Sequence, residues 1–194
     1  MAVVNANYRF LMIDVGAYGK DSGAGVFLNS PIYQNIENGI LPLPKSQKLP
    51  NSEQVSPFVF IGDDAFPLRT YLLKSFPTRR LQNNEPASYY NYRSSRARMT
   101  VECTFGICSA KFRILLKSIE TKVENAVHIS KAICILHNII IDMEKDSILN
   151  NLQDYKGANL SNNINNSLRI SRANNRPSRE AEKLRDTPSA NTFI

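Results

Sequence analysis

The chain has 194 residues, 42% of them hydrophobic, which suits one domain with a packed core and argues against wholesale disorder. Its net charge of +7 favours anionic partners, with nucleic acid ahead of an acidic membrane surface. No apolar run reaches the roughly 18 residues that span a bilayer, the first residues lack the order of a signal peptide, and the three scattered cysteines argue against a disulfide framework. We therefore expect a nuclear or cytosolic protein that does not span a membrane.

The N-terminal segment is expected to contain strands, a loop and a helix. Residues 2–15 are rich in β-branched and aromatic residues, which predicts one strand, or two strands with a turn near Asn5–Asn7. Residues 16–25 hold four of the eight glycines and predict a loop. Residues 26–39 predict a short helix that ends at Gly39.

A short apolar run, PFVFIG, occupies residues 57–62. It is typical of a strand buried in the middle of a sheet. A short helix over residues 67–75 and a polar loop over residues 78–88 are expected to follow it.

Helices dominate the rest of the chain. Residues 90–117 predict a long helix with a weak point at Gly106. Residues 123–145 predict a second helix, apolar nearly all round, that packs against the sheet. The Asn/Ser-rich residues 146–178 predict disorder, and residues 179–194 predict a short helix and a tail. Strands that come first and helices that come later indicate an α/β domain.

Two adjacent acids, Asp63 and Asp64, come directly after PFVFIG. A carboxylate at the C-terminal end of a central strand lies where open α/β sheets place their ligand sites. The alternative is that either acid caps the turn that follows, because Asp is a favoured N-cap residue. Taken alone, the pair favours the capping role.

A second candidate acid, Glu102, lies in the helical stretch SRARMTVECTFG. Apolar stripes through Cys103 and Phe105 flank it, so we expect Glu102 to face inward or toward a sheet edge. A carboxylate in such surroundings needs a partner. Two partners stay open: Arg98, one helical turn earlier and worth a few tenths of a kcal/mol, or a metal ion.

Acids from a strand end and a helix can serve one reaction. Phosphoryl transfer on a nucleic acid uses two divalent cations about 3.5–4 Å apart, and hard cations such as Mg²⁺ take oxygen ligands. The surrounding charges support a phosphate partner, because the interval from residue 69 to residue 117 holds ten basic residues against two acids, Glu85 and Glu102. The basic residues expected to contact DNA are Arg93, Arg96, Arg98, Lys111 and Arg113. Tyr89, Tyr90 and Tyr92 precede them and are able to stack on bases.

The cysteines and histidines favour buried thiols over a zinc site. Cys103 and Cys108 are five residues apart and point to different helix faces. Cys134 and His137 share a face, but the sequence contains no CxxC pair.

Three blocks of the sequence, GDDAFPLRTYLLKSFP, YNYRSSRARMTVECTFGICSAKFRIL and AICILHNIII, resemble in the same order the transposase-derived nucleases of the Harbinger type. The resemblance covers residues 2–145, and the later EAEKLRD is similar to the family's closing helix. It implies a DDE endonuclease domain over residues 1–145, with a ribonuclease-H-like fold in which helices flank a mixed sheet. It also implies Mg²⁺ or Mn²⁺ as the cofactor and DNA as the substrate.

The resemblance assigns catalytic roles to two residues. Asp63, in GDDAF, matches the second catalytic Asp of the family, and Glu102, in VECTFG, matches the catalytic Glu. Asp64 stands at a variable position and is assigned the capping role. The family's first catalytic Asp, in an Asp-Gly-Thr-like motif on the first strand, has no counterpart here; Asp14, at a strand end, is the nearest substitute for it as a metal ligand. We therefore expect an N-terminally truncated domain that lacks the first strand of its sheet.

Three hypotheses about function follow. The first is a metal-dependent DNA endonuclease that hydrolyses phosphodiester bonds by a two-metal mechanism. The second is a catalytically inactive transposase remnant that binds DNA or a protein partner, and the third is a structural domain whose acids are caps. No helix-turn-helix spacing is present, so sequence-specific binding is expected to belong to a separate DNA-binding partner protein. The nucleus is the expected location, with the cytoplasm as the alternative.

Overall fold

The computed structural model describes residues 1–18, 20–49, 53–144 and 177–187. Within these residues the chain forms two compact units. Unit 1 comprises residues 17–100 and 177–187, and unit 2 comprises residues 2–16 and 101–144. The predicted disorder of residues 146–178 falls almost entirely outside the described residues.

Short strands and longer helices make up both units. The strands are β1 (Ala2–Val4), β2 (Phe10–Ile13), β3 (Gln47–Lys48), β4 (Val55–Ser56), β5 (Phe60–Ile61) and β6 (Leu72–Leu73). The helices are α1 (Gly23–Leu28), α2 (Pro31–Glu37), α3 (Glu85–Lys111), α4 (Val123–Met143) and α5 (Arg179–Asp186). Turns of 3-10 helix lie at Thr78–Arg80 and Arg113–Leu116.

Unit 2 begins with a hairpin, as the two-strand alternative predicted. β1 pairs with β2 in antiparallel register, and the side chain of Asn5 accepts the backbone N–H groups of Asn7 and Arg9 to close the turn. Tyr8 takes a left-handed backbone conformation, φ +60°, in that turn, and its side chain is buried.

Helix α4 is attached to this hairpin by polar side chains as well as by apolar packing. The Asn138 amide donates to the Phe10 carbonyl and accepts the Phe10 N–H, each at 2.8 Å. Phe10, Cys108 and Ile133 form the buried core of the unit. The prediction that this helix packs on strands is confirmed for one of its faces.

The other face of α4 is exposed, with Ile135, Leu136 and Ile139 open to solvent. By length and composition alone α4 could cross a membrane, contrary to the expectation that no segment of the chain is apolar enough. A core helix of a soluble protein has the same length and composition, so this is weak evidence for a membrane.

Unit 1 opens with two short helices where one was predicted. Ser22 and Ser30 cap α1 and α2 by accepting the N–H groups of Gly25 and Tyr33. The predicted loop over residues 16–25 is therefore wrong from Gly23 onward. Gly39, with φ +68°, lies just beyond the end of α2, as predicted.

The predicted strand in PFVFIG is confirmed for Phe60–Ile61, but its burial in the middle of a sheet is not, and the predicted helix over residues 67–75 was wrong. β5 is a two-residue, half-buried strand, and it pairs in parallel with β6, which lies inside the predicted helix. A short apolar run fits a strand or a helix by periodicity alone, and here pairing with a distant segment decides the outcome. The strands of the described residues form three separate two-stranded sheets. The structure thus supports a mixture of helices and small sheets of α/β type, and a ribonuclease-H-like sheet is not established.

Helix α3 begins and ends earlier in the sequence than predicted. It begins at Glu85, inside the expected polar loop, and continues through Gly106 to Lys111. Ala87, Tyr90 and Ser94 are the buried side chains of its unit 1 part.

The predicted C-terminal helix is confirmed as α5. Ser178 caps it by accepting the Ala181 N–H. Ala181 packs with Leu68 and Leu73 in the buried core of unit 1. The guanidinium of Arg185 lies 4.2 Å from the ring centroid of Phe76.

Candidate active site

Asp63 lies in a tight turn directly after β5. Its carboxylate accepts the backbone N–H of Asp64 at 2.6 Å, and its carbonyl accepts the N–H of Phe66 at 3.0 Å. The preceding Gly62 is buried and donates its N–H to the Leu73 carbonyl of β6 at 2.8 Å. Asp63 thus lies directly after a strand, as predicted, although that strand belongs to a sheet of only two strands. The Asp63 carboxylate supplies the turn contact that was expected of Asp64.

Lys74 fastens the same turn from the end of β6. Its ammonium donates to the carbonyls of Asp64 at 3.0 Å and Phe66 at 2.8 Å. Burial lowers the pKa of Lys74, and the nearby Asp64 carboxylate partly opposes that shift. In the sequence analysis Lys74 was only one of the ten basic residues between residues 69 and 117. Its place inside the apolar stretch YLLKSF was the signal that it is held within the fold.

Arg98 of α3 forms an ion pair with Asp63, with its Nη1 3.4 Å from the carboxylate Oδ1. Half of the Asp63 side chain, 51%, remains exposed in this pair. An ion pair with that exposure contributes under about 1 kcal/mol to folding stability. Sequence reasoning had offered Arg98 as a partner for Glu102; the structure places it against the other candidate carboxylate.

Glu102 is exposed on α3, so the prediction that it faces inward was wrong. The buried positions of the helix in unit 2 are Thr104 and Cys108, which set the inward face at a different angle from Glu102. A solvated carboxylate avoids the desolvation penalty that motivated the inward expectation. Asp63 belongs to unit 1 and Glu102 to unit 2.

Asp14, the substitute for a third ligand, is half-buried directly after β2 in unit 2. In donor chemistry, Asp63 and Glu102 fit a hard divalent cation, because both offer carboxylate oxygens. Across the described parts of the chain, however, no group of three His, Cys, Asp or Glu side chains is arranged to hold a metal ion.

Of the five predicted DNA-contacting residues, two form ion pairs with carboxylates and the other three lie beside tyrosine rings or in an exposed turn. Arg98 is occupied by Asp63, and Lys111 forms an ion pair with Glu144 at 2.7 Å. Arg93 and Arg96 lie on α3 beside tyrosine rings, and Arg113 is exposed in the 3-10 turn that follows the helix.

The thiols lie within the fold of unit 2. Cys108 is buried between Phe10 and Ile133, and burial raises its pKa to about 11. Cys134 is half-buried, and burial raises its pKa as well. Both thiols are therefore protonated at neutral pH and are poor metal ligands in this state.

Comparisons with known proteins agree with the resemblance of the three sequence blocks. A family model described as DDE superfamily endonuclease matches residues 1–138. Protein ALP1-like from Arabidopsis thaliana is 32% identical over 149 residues, which are 76% of this chain and 36% of that protein. The chain thus spans about a third of the length of this curated relative. No solved structure matches the chain.

The family match extends over most of the chain and contains both candidate carboxylates, together with the turn that holds Asp63. The agreement of sequence blocks, family model and relative leads to one conclusion: the chain belongs to the DDE superfamily of endonucleases, of the Harbinger transposase-derived type.

Proposed function

We propose that the protein is a divalent-metal-dependent endonuclease that hydrolyses phosphodiester bonds in DNA. The observation that carries the proposal is the position of Asp63, whose carboxylate is presented by a hydrogen-bonded turn at the C-terminal ends of two parallel strands. Ligand sites of parallel sheets lie at that end of the strands. Family membership supplies the reaction class.

In this proposal Asp63 and Glu102 supply carboxylate oxygens to Mg²⁺ or Mn²⁺, with Asp14 as a weaker third donor. Bound cations of this kind activate water and stabilise the leaving oxygen in a two-metal hydrolysis. Lys74 maintains the turn that presents Asp63, because it bonds two carbonyls of that turn. Five basic residues, Arg93, Arg96, Arg98, Lys111 and Arg113, are proposed to hold the phosphate backbone.

Arg98 has a defined part in this scheme. It partly neutralises Asp63 in the structure, and a divalent cation competes with its guanidinium for the same carboxylate. Replacing Arg98 by Gln should therefore strengthen metal binding at Asp63 while weakening contact with DNA.

The test is DNA cleavage by purified protein with Mg²⁺ or Mn²⁺, and with a chelator as the blank. Asp63→Asn and Glu102→Gln should each remove metal-dependent cleavage. Asp64→Asn, one residue away in the same turn, is the matched control and should cut as the wild type does. Cleavage that persists in Asp63→Asn, or that is lost equally in Asp64→Asn, would rule out the proposed roles.

A second candidate function is DNA binding without hydrolysis. The Asp63–Arg98 ion pair favours it, as does the lack of a three-ligand cluster in the described residues. This candidate predicts salt-sensitive DNA binding with no cleavage under any divalent cation. Cleavage that disappears in Glu102→Gln would exclude it.

The location and partners follow from the same proposal. With DNA as its proposed substrate, the protein is proposed to act in the nucleus. Sequence-specific targeting is assigned to a separate DNA-binding protein, and co-purification of such a protein with the nuclear chain would support this part of the proposal.

A further inference from the structure

Two exposed tyrosine–arginine pairs lie side by side on α3. Arg93 donates to the Tyr89 hydroxyl at 3.4 Å, and Arg96 donates to the Tyr92 hydroxyl at 3.1 Å. The guanidinium carbons lie 6.0 and 5.8 Å from the centroids of the respective rings. We call these four residues the Tyr–Arg ladder.

The ladder repeats with the period of the helix. Its two rings are three residues apart, which separates them by about 4.5 Å along the helix axis. Each arginine follows its tyrosine by four residues, so the cations form a second row one turn further along. Successive nucleotides of a single strand offer the same alternation, with flat bases on one side and phosphates on the other.

The ladder is not part of the core. Tyr89 is 50% exposed and Tyr92 is 57% exposed, whereas Tyr90 and Ser94 occupy the buried face of the same helix. A Tyr–Arg pair within a helix adds only a few tenths of a kcal/mol to folding, so folding alone gives little reason for two exposed aromatic rings.

The charges around the ladder suit a polyanion. Residues 86–101 contain three arginines and no acid. Among the residues that the structure describes, no carboxylate forms an ion pair with Arg93 or Arg96, whereas Arg98 is paired with Asp63. Arginine has five N–H donors, so a hydrogen bond to a tyrosine hydroxyl leaves others for phosphate oxygens.

We infer that the Tyr–Arg ladder binds DNA through unpaired bases, with Tyr89 and Tyr92 stacking on two successive bases and Arg93 and Arg96 contacting their phosphates. The inference rests on the proposed function for its choice of DNA, and it adds that single-stranded or frayed DNA is preferred. In a closed duplex the base faces are covered by their neighbours, so the rings find no stacking partner there. An acidic polypeptide would engage the arginines but not the ring faces.

Binding of the full chain to a fluorescent oligothymidine of about 12 nucleotides, and to a GC-rich duplex of the same length, provides the test. The buffer contains EDTA, so that no cleavage occurs. The double variant Tyr89→Leu/Tyr92→Leu should weaken single-strand binding about 30-fold or more, since each stacked base is worth about fivefold or more. Duplex binding should change less than threefold.

Matched variants separate stacking from charge and from folding. Tyr18 is exposed and lies 6.0 Å from the ammonium of Lys20, so Tyr18→Leu removes a comparable ring elsewhere in unit 1 and should leave both affinities unchanged. Phe at both ladder positions should retain single-strand binding, because the ring faces persist. Arg93→Gln/Arg96→Gln should lower the affinity for both the single strand and the duplex. It should also reduce the slope of log affinity against log salt concentration for the single strand by about 1.4, or 0.7 per phosphate.

Three results would overturn the inference. They are equal affinity of the wild type for single strand and duplex, equal losses on both ligands in the Leu variant, and displacement of oligothymidine by polyglutamate at equal charge. Circular dichroism and thermal unfolding of each variant identify loss of fold, and the Phe variant then carries the test. Because binding is measured without metal, the two proposals can fail separately. If the ladder binds single strands but the chain never cuts DNA, only the nuclease proposal is contradicted. If the chain cuts DNA but the Leu variant binds single strands normally, only the ladder is contradicted.

Discussion

Protonation of His137 should lower the free energy of unfolding of unit 2. The buried ring donates its Nε2–H to the Tyr8 carbonyl at 2.8 Å, which holds helix α4 to the hairpin. Burial lowers the pKa of His137 below its usual 6.5, and the Tyr8 carbonyl partly opposes the shift. Below pH 6.5 the unfolded chain therefore binds a proton more readily than the folded chain. The stabilisation is complete above pH 6.5 and is lost as the pH falls toward the pKa of the folded state.

Urea unfolding between about pH 7.5 and pH 5.5 measures this loss as a change in the free energy of unfolding. His137→Gln keeps a donor for the Tyr8 carbonyl but cannot titrate, so its stability should fall less with pH than that of the wild type. The difference is at most about 1.4 kcal/mol for each pH unit. His128→Gln, exposed on the same helix, is the control and should retain the wild-type slope. A wild-type slope in His137→Gln would exclude this role.

Gly62 and Gly106 should respond to alanine in opposite directions. A Cβ at Gly62 would lie 3.1 Å from Leu72 Cδ1 and 3.3 Å from Phe66 Cβ, closer than ordinary contact. We expect Gly62→Ala to lower the free energy of unfolding by about 1–3 kcal/mol through overpacking. A Cβ at Gly106 meets nothing within 4 Å inside α3, so Gly106→Ala should raise the free energy of unfolding by about 0.5–1 kcal/mol. Chemical denaturation of the two variants checks the signs, and two changes of the same sign would contradict the prediction.

At the level of elements, Lys74 ties the ends of β5 and β6 together across the Asp63 turn. Lys74→Met keeps the length of the side chain and removes a charged donor from two carbonyls, which should lower the free energy of unfolding by about 1.5–3 kcal/mol. Lys111→Met removes a surface ion pair with Glu144 and should cost less than about 1 kcal/mol. Thermal unfolding compares the two, and equal losses would show that Lys74 is no more than a surface cation.

Across the whole molecule, local signals in the sequence predicted some parts and missed others. The apolar residues of α4 were sufficient to predict that helix, and α5 was predicted from the stretch REAEKLRD and its similarity to the family's closing helix. The pairing of β5 with β6 was not predictable, because two-residue strands leave no periodic pattern and depend on partners far along the chain. The turn around Asp63 was located by its acids, but Lys74 and Arg98 reach it from other segments. Glu102 was placed inward because its flanking residues are apolar, whereas Thr104 and Cys108 set the buried face.

The packing of α5 shows how a distant segment completes unit 1. Ala181 is fully buried beside Leu68 and Leu73, so this core cluster of unit 1 depends on a helix more than 100 residues further along the chain. Ala181→Gln forces a larger, polar side chain into that contact and should lower the free energy of unfolding by about 1–3 kcal/mol. Lys183→Gln puts the same side chain on the exposed face of α5 and should change stability by less than about 0.5 kcal/mol.

Limited trypsin digestion gives a second measurement of the same contact, because α5 carries Arg179, Lys183 and Arg185 within the packed helix. A helix released by Ala181→Gln should be cut at these residues faster than the wild-type helix, since a protease requires an unfolded, accessible chain. Unchanged digestion and unchanged stability in Ala181→Gln would mean that α5 does not hold unit 1 together. Loss in Ala181→Gln alone would establish that the fold around the Asp63 turn depends on this C-terminal helix as well as on the strands next to it.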